Sequence, residues 1–306
     1  MCLFFSPRRA PGGAAPMPVP VLLLPGVLCT PRLWAPVLRC LAALGHDPSR
    51  FLALPATQRE AMPEAAAELL AAHPAPRLAL AGLSMGGYIA LAAAAAAPAR
   101  VAGLALLNSQ CRPDSAEVRA RRLAQVAGVA GAGGRLHGLL EAQARVLLHP
   151  SRLPADASAA IAALAAGGGG GGSHPALDPA FAEFVRGALE SGAQAFARQQ
   201  RCVMSRGDTS STLAALAAAG APMAVLTGSH DGLIPAKVAR DMHALMGAAG
   251  GSGGAVVLEG CGHLSTLEAP AEVAAVLHEW LARVDAAEAA RGRAVSGPPP
   301  QSVVQK

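Results

Sequence analysis

The feature that most constrains this chain is a serine between glycines, inside a long stretch without charged residues. Residues 78–99 contain no Asp, Glu, Lys or Arg, and Gly82-Leu-Ser-Met-Gly86 lies near their start. A stretch of this length resembles a membrane span. However, three glycines interrupt it and Pro98 ends it, so we expect a buried strand, a sharp turn and a buried helix. No integral membrane segment is therefore predicted.

This setting predicts that Ser84 is a nucleophile. A sharp turn between a strand and a helix holds such a serine at strained backbone angles, and the small neighbours Gly82 and Gly86 relieve crowding there. The N-terminus of the following helix also supports negative charge that develops nearby. For the five-residue pattern alone, a glycine-rich turn with an incidental serine would be the better interpretation. The strand before the motif and the helix after it favour the nucleophile.

A serine hydroxyl needs a base to become a good nucleophile, and the base needs an acid that orients it. Asp231 follows a predicted strand at 223–227, and His263 follows another at 255–258. The order Ser84, Asp231, His263 along the chain is the one expected for a strand–turn–helix nucleophile. The sequence therefore predicts these three residues as the catalytic nucleophile, acid and base.

Attack by a serine on an acyl carbon also requires two backbone N–H groups that bind the oxygen of the tetrahedral intermediate. One is expected from Met85, directly after the nucleophile. The other is expected from the loop after the first strand, where Gly26 permits a close backbone approach. Val27 is the candidate donor and Leu28 the alternative. A simple turn at Pro25-Gly26 is the competing interpretation.

The remaining polar residues favour neither a metal nor a cofactor. Asn108 and its polar neighbours follow the strand near 101–107 without a carboxylate, so an acid at that place is disfavoured. His230 adjoins Asp231 and is interpreted as a surface or lid contact, and Cys261 as lining the site. No histidines or cysteines have the spacing of metal ligands, so no metal site and no cofactor are predicted.

Short β-rich runs alternate with longer Ala/Leu-rich stretches, which is typical of a parallel sheet with crossover helices. Six strands are predicted, near 19–24, 50–54, 78–81, 101–107, 223–227 and 255–258. Helices are predicted near 31–44, 63–72, 85–97, 236–246 and 270–284. The predicted fold class is α/β, with a doubly wound, mostly parallel sheet.

The alternation fails between residues 111 and 216, which predicts a helical insertion with a flexible linker at the glycine run 167–172. The expected organisation is a core, a cap and two tails. The core is 19–110 and 217–288, the helical cap is 111–216, the tail 1–18 is disordered or a targeting segment, and the tail 289–306 is disordered.

The charge distribution argues against a nucleic-acid partner. The 25 Lys and Arg exceed the 20 Asp and Glu, but part of this excess lies in the tails. The densest internal basic run, Arg119 to Arg122, has no interleaved aromatic residues, so we expect a solvated helix face. The six cysteines form no C-x-x-C pair, which favours free thiols in a reducing compartment. A cytoplasmic protein is expected, with an organelle as the alternative.

Four segments together resemble the α/β-hydrolase superfamily. They are LLLPGVLCTPRLW at Leu22–Trp34, LALAGLSMGGYIAL at Leu78–Leu91, VLTGSHDGLIP at Val225–Pro235 and GCGHLSTLEAP at Gly260–Pro270. Within the superfamily, the chain is similar to the pimeloyl-carrier-protein methyl-ester esterases and C–C bond hydrolases. The resemblance implies an α/β-hydrolase fold in which Ser84, Asp231 and His263 match the triad, and Val27 and Met85 match the oxyanion positions.

Two departures from the family pattern bear on the substrate. Many members have His-Gly where this chain has Pro25-Gly26, and their D-x-x-G-x-G-x-S turn after the second strand is replaced by Leu54-Pro-Ala-Thr-Gln58. The insertion at 111–216 matches the helical cap of the family, which decides substrate choice. Its Ala/Leu-rich sequence favours an apolar acyl or alkyl group.

The sequence therefore predicts a serine hydrolase that cleaves a small-molecule carboxylic ester through an acyl-enzyme, without a cofactor. A lactonase, a C–C bond hydrolase or an acyltransferase would use the same triad, because function resides in the pocket rather than in the fold. A ligand sensor that has kept the fold is the alternative from another class. The presence of all three triad residues argues against it.

Overall fold

The computed structural model describes residues 18–167, 177–251 and 254–295, and it contains a sheet of six parallel strands. The strands are β1 (Val21–Leu24), β2 (Phe51–Ala53), β3 (Leu78–Leu83), β4 (Val101–Leu107), β5 (Met223–Gly228) and β6 (Ala255–Leu258). All six correspond to predicted strands. The predicted fold class, an α/β sheet with a helical insertion, is confirmed.

The strand order is β2-β1-β3-β4-β5-β6, so the winding direction changes between β1 and β3. The register pairs Leu24 with Gly82, Leu83 with Leu107, and Gly228 with Leu258. Because all strands are parallel, their carboxyl ends meet at one edge of the sheet. Ligands of doubly wound sheets bind at this edge, beside the change of direction.

Helices cover both faces of the sheet. They are α1 (Ala35–Ala43), α2 (Met62–Ala72), α3 (Met85–Ala96), α4 (Ala116–Gly131), α5 (His137–Leu147), α6 (Ala157–Ala166), α7 (Pro179–Met204), α8 (Ser210–Ala218), α9 (Ala236–Ala248), α10 (Ser265–Glu268) and α11 (Pro270–Val295). A 3₁₀ turn at Pro31–Trp34 precedes α1. Helices α1 and α11 pack on one face, and α2, α3, α8 and α9 on the other.

Burial on both faces explains why the strands read as continuous apolar runs in the sequence. Strands β3 and β4 are buried along their whole length. Small residues allow helices to approach closely, since a Cβ on Gly103 would lie 2.5 Å from Val284 Cγ2. This close packing makes the sheet a firm support for the loops at its carboxyl edge.

The insertion consists of helices α4 to α7, which contact one another and lie over the carboxyl edge of the sheet. Helix α4 begins after Ser115, whose Oγ accepts a hydrogen bond from the Val118 amide. Helix α7 has a kink at Gly192, where φ is 80° and the backbone is not helical. The predicted linker at 167–172 lies outside the described residues except for Gly167.

Two predicted boundaries differ from the structure. The predicted end of the cap at residue 216 falls inside α8, which packs against α3 and α9 on the sheet. Leu213 and Leu216 are buried there and hold α8 in the core. At the C-terminus, α11 continues to Val295, so the start of the predicted disordered tail 289–306 is helical. An ion pair from Arg77 to Glu288, with an N–O distance of 2.5 Å, fixes this part of α11 to the core.

Candidate active site

The turn after β3 holds Ser84 in a backbone conformation that L-residues rarely adopt, with φ 54° and ψ −115°. Its N–H donates to the Leu107 carbonyl oxygen at 2.9 Å. A Cβ on Gly82 would overlap the Gly86 backbone, and one on Gly86 would overlap the Leu24 carbonyl. The two glycines are therefore required by the close approach of β1 and α3 to this turn, as the sequence motif predicts.

His263 and Asp231 form a buried pair in the loops after β6 and β5. His263 Nδ1 donates to Asp231 Oδ2 at 2.8 Å, and the side chains are 3% and 0% exposed. The other oxygen of Asp231 accepts from the backbone amides of Leu233 and Ile234 at 2.9 and 2.8 Å. Because Nδ1 is bonded to the carboxylate, Nε2 is the ring nitrogen left to exchange a proton.

The surroundings of Asp231 favour the ionised carboxylate that orients a histidine. Burial raises the pKa of its carboxyl, but the charge of His263 and hydrogen bonds from His263, Ile234 and Asn108 outweigh burial and lower the pKa overall. Asp231 is therefore ionised at neutral pH. An ionised carboxylate fixes the tautomer of His263 and stabilises its protonated form.

Asn108 at the end of β4 is a site residue that sequence reasoning missed. Its Nδ2 donates to Asp231 Oδ2 at 3.0 Å and to the Gly262 carbonyl at 3.1 Å, while its Oδ1 accepts from Ser265 Oγ at 2.6 Å. It has φ 47°, in the left-handed region that asparagine tolerates. A polar residue directly after a wholly buried strand was the available signal.

Glu268 is a second missed residue, and it connects the His263 loop to the cap. Its carboxylate accepts from the backbone amides of His149, Gly262 and Leu264 at 2.8, 3.2 and 3.2 Å. Burial raises the pKa of Glu268, with these three amides and Arg152 acting against it. The His263 amide also donates to the carbonyl of Leu147 in α5 at 2.6 Å.

The predicted oxyanion residues lie beside the nucleophile. Within the described residues, neither the Val27 nor the Met85 amide donates a hydrogen bond. In contrast, the Leu28 amide, the alternative donor, is bonded to Gln199 Oε1 at 2.8 Å. A Cβ on Gly26 would lie 3.5 Å from Ser84 Cβ, so the loop after β1 approaches the nucleophile as expected.

Two neighbours of the triad have different roles. The ring of His230 lies 4.3 Å from the ring of His149, centroid to centroid, which agrees with its interpretation as a lid contact. Cys261 is buried, and burial raises the pKa of its thiol to about 12. It does not line the cavity within the described residues, so its predicted role is wrong, and Cys29 lines the cavity instead.

Ser84 and His263 open into a cavity of about 250 Å³ between the sheet edge and the cap. Its apolar lining includes Leu83, Val146, Leu147, Phe184, Val203 and Leu233. A larger groove of about 680 Å³ includes Val101 and Pro222 at the opposite end of β4 and β5. That groove is remote from Ser84, so the smaller cavity is the candidate active site.

The chain belongs to the alpha/beta hydrolase family, whose model matches residues 21–276. This match spans the sheet, the insertion and all three predicted triad residues. Within the described residues, no helix is both long and apolar enough to cross a membrane.

Solved structures share this fold. A thermophilic esterase from Thermogutta terrifontis, solved with malate bound, is 24% identical, with a TM-score of 0.65 over 87% of this chain and 90% of that chain. The enol-lactonase from Burkholderia xenovorans LB400 is 17% identical, with a TM-score of 0.60 over 87% and 92%. A carboxylesterase from Nitrososphaera gargenis is 16% identical, with a TM-score of 0.63 over 88% and 92%. A search of curated protein sequences gave no match.

Proposed function

We propose that this protein is a serine hydrolase that cleaves a carboxylic ester through an acyl-enzyme. The observation that carries the proposal is the convergence of a strained serine and a buried His–Asp pair on one cavity. Ser84, His263 and Asp231 come from three separate loops at the carboxyl edge of the sheet. Their residue types and their order are those that nucleophilic catalysis requires.

In the first half-reaction, Ser84 Oγ attacks the acyl carbon while His263 Nε2 takes the hydroxyl proton. Asp231 holds the imidazole and stabilises its positive charge. The amides of Val27 and Met85 bind the oxygen of the tetrahedral intermediate. A donor of this kind contributes about 10²- to 10³-fold to kcat. His263 then gives its proton to the leaving alcohol, and the acyl group remains on Ser84.

In the second half-reaction, His263 takes a proton from water, which attacks the acyl-enzyme and releases the acid. The same two amides bind the oxygen again, because the second intermediate has the same charge distribution. Ser84 regains its proton from His263 at the end of the cycle. The chain's own residues are sufficient for each of these steps, and no cofactor is invoked.

A lactonase, a C–C bond hydrolase or an acyltransferase is the alternative on the same triad, and a ligand sensor is the alternative without turnover. The solved structures that share the fold include esterases and an enol-lactonase at low identity, so they support the fold and do not select among these reactions.

The experiment is a burst-phase assay with p-nitrophenyl esters of graded acyl length, on the wild type and Ser84→Ala together. The proposal predicts a burst of nitrophenolate that depends on chain length and is lost in Ser84→Ala. Folding of both proteins is checked by circular dichroism. No turnover of any ester by the folded wild type would contradict the proposal and favour the C–C hydrolase or the sensor.

A further inference from the structure

A buried cluster of two arginines and one aspartate, with one positive charge in excess, borders the cavity through Arg122. Asp114 lies between two arginines, with Arg122 Nε at 2.9 Å from one oxygen and Arg206 Nη2 at 2.7 Å from the other. All three side chains are at least nine-tenths buried. Within the described part of the chain, neither arginine has a second carboxylate partner. Arg122 is thus buried and not on a solvated helix face as the sequence predicted.

Each side-chain nitrogen of Arg206 already has a hydrogen-bond partner in the protein. This arginine donates to the carbonyls of Val203 and Arg112, and its guanidinium carbon lies 4.3 Å from the centre of the Tyr88 ring. Arg206 does not line the cavity. The unbalanced charge is therefore available to a ligand only through Arg122.

Arg122 and Gln200 present free donors to the cavity that they both line. Arg122 Nη1 donates to Gln200 Oε1 at 2.8 Å, which directs the Gln200 amide nitrogen elsewhere. Within the described residues, Arg122 Nη2 and Gln200 Nε2 have no acceptor, and neither nitrogen is fully enclosed. Gln200 is only 2% exposed, so its free amide nitrogen is a donor for a ligand or a water molecule inside the cavity.

The charges that line the cavity have one sign. Arg121 and Arg122 line it, and no Asp or Glu does among the described residues. A buried cation without a counter-ion is unfavourable, whereas a single bound carboxylate would neutralise the cluster. Because Arg122 Nε and Nη1 are already bonded, the donors left for the two oxygens of a carboxylate are Arg122 Nη2, which is charged, and Gln200 Nε2.

We propose that the substrate carries a second, ionised carboxyl group, which Arg122 and Gln200 bind in the cap. This inference rests on the proposed esterase function and names its substrate class, an acid-bearing ester such as the hemi-ester of a dicarboxylic acid. Phe184 and Val146 line the same cavity, so the carbon chain between the two carboxyl groups is apolar. Ester cleavage takes place at the sheet edge, and the cap selects the substrate.

The test uses p-nitrophenyl hemi-esters of dicarboxylic acids of graded length. Each is compared with the same ester whose distant carboxyl is methylated, which removes the charge and keeps the length of the chain between the two carbonyl groups. At the best length, the wild type is expected to prefer the charged ester by about 10- to 100-fold in kcat/KM, mainly through KM. The ratio of the two esters is the readout, because partial destabilisation of a variant cancels in it.

Arg122→Gln is expected to bring this ratio close to one, and Gln200→Leu to lower it by about 10-fold. Arg119→Gln is the matched control, since it removes a positive charge from the same helix but from a side chain that bonds the Met204 carbonyl outside the cavity. It is expected to keep the wild-type ratio. A ratio near one in the wild type, or an unchanged ratio in Arg122→Gln, would overturn the subsite while leaving ester cleavage established.

A binding measurement keeps the subsite testable if no ester is cleaved, which would refute the proposed function alone. Free dicarboxylates are titrated into Ser84→Ala by calorimetry, with inorganic phosphate as a second arm. Dicarboxylate binding that Arg122→Gln abolishes supports the subsite. No binding, or phosphate binding as tight as that of the dicarboxylate, would contradict it.

Discussion

The turn that carries Ser84 and the cap above it are specified in different ways. The turn is marked by a five-residue motif, in which a side chain on Gly82 would collide with the Gly86 backbone and one on Gly86 with the Leu24 carbonyl. The cap side of the cavity depends on partners far apart in sequence, such as Arg122 with Gln200 and Arg206 with Asp114. The motif that marks the proposed nucleophile is thus local in sequence, whereas the cap side of the cavity depends on packing between distant segments.

The largest expected effect is the loss of the base. His263→Ala should lower kcat by about 10⁶-fold, and Asp231→Asn by about 10⁴-fold, because the serine then lacks a correctly oriented proton acceptor. Both are measured with the best p-nitrophenyl ester. His137→Ala in the cap, where the ring bonds Ser158 Oγ at 2.8 Å, is the control and should change kcat little. Normal hydrolysis by His263→Ala would refute the base assignment.

Glycine substitutions test whether the turn at Ser84 is packed more tightly than the cap. Gly86→Ala places a methyl group on the Leu24 carbonyl and should cost about 3 kcal/mol or more of unfolding free energy. Gly192→Ala in the cap has no atom within 4 Å of its new Cβ, so only its positive φ costs energy, about 1 to 3 kcal/mol. Urea unfolding measures both. An equal or larger cost at Gly192 would contradict the view that the turn is the tighter region.

A substitution at Asn108 tests whether hydrogen bonds from the end of β4 are needed to position Asp231. Asn108→Ala removes a donor to Asp231 and to the Gly262 carbonyl and should lower kcat about 30-fold with little change in KM. Without this donor the pKa of Asp231 should rise, because one of the hydrogen bonds that lower it is lost. A purely structural role would lower stability and leave the kcat of the folded enzyme unchanged.

The smallest expected effect concerns the link between core and cap. Burial holds the pKa of Glu268 above its usual 4.5 in the folded protein. The folded state therefore keeps this proton to higher pH than the unfolded state, and this residue's contribution to stability falls as pH rises through that range. Glu268→Gln removes this pH-dependent contribution to stability, because glutamine does not ionise.

The unfolding free energy of the wild type relative to Glu268→Gln should thus decline as the pH rises above the usual glutamate pKa of 4.5. Asp231, whose pKa is shifted down, has the opposite dependence but is present in both proteins and cancels. A difference that rises with pH would contradict the burial of an ionisable Glu268.

The sequence predicted the strands and the triad candidates because both leave local patterns. Apolar runs marked the buried strands, and Gly82-Leu-Ser-Met-Gly86 marked the turn. Asp231 and His263 could be found because each lies within five residues of the end of a strand, and parallel strands bring such positions to one edge.

The residues that the sequence missed depend on contacts that no local pattern carries. Asn108 donates a hydrogen bond to Asp231, 123 positions later, and Arg122 donates one to Gln200, 78 positions later. A basic run such as Arg119 to Arg122 gives no sign that one of its members is buried against another helix. Such pairs become visible only when the insertion is folded over the sheet.

The central claim is that Ser84 is the nucleophile that His263 activates. The most direct test is intact-mass and peptide mass spectrometry after treatment with a fluorophosphonate, which reacts with activated serines. The account predicts one adduct, on Ser84, which is absent from Ser84→Ala and greatly slowed in His263→Ala. A folded wild-type protein that forms no adduct, or forms it on another residue, would contradict the account.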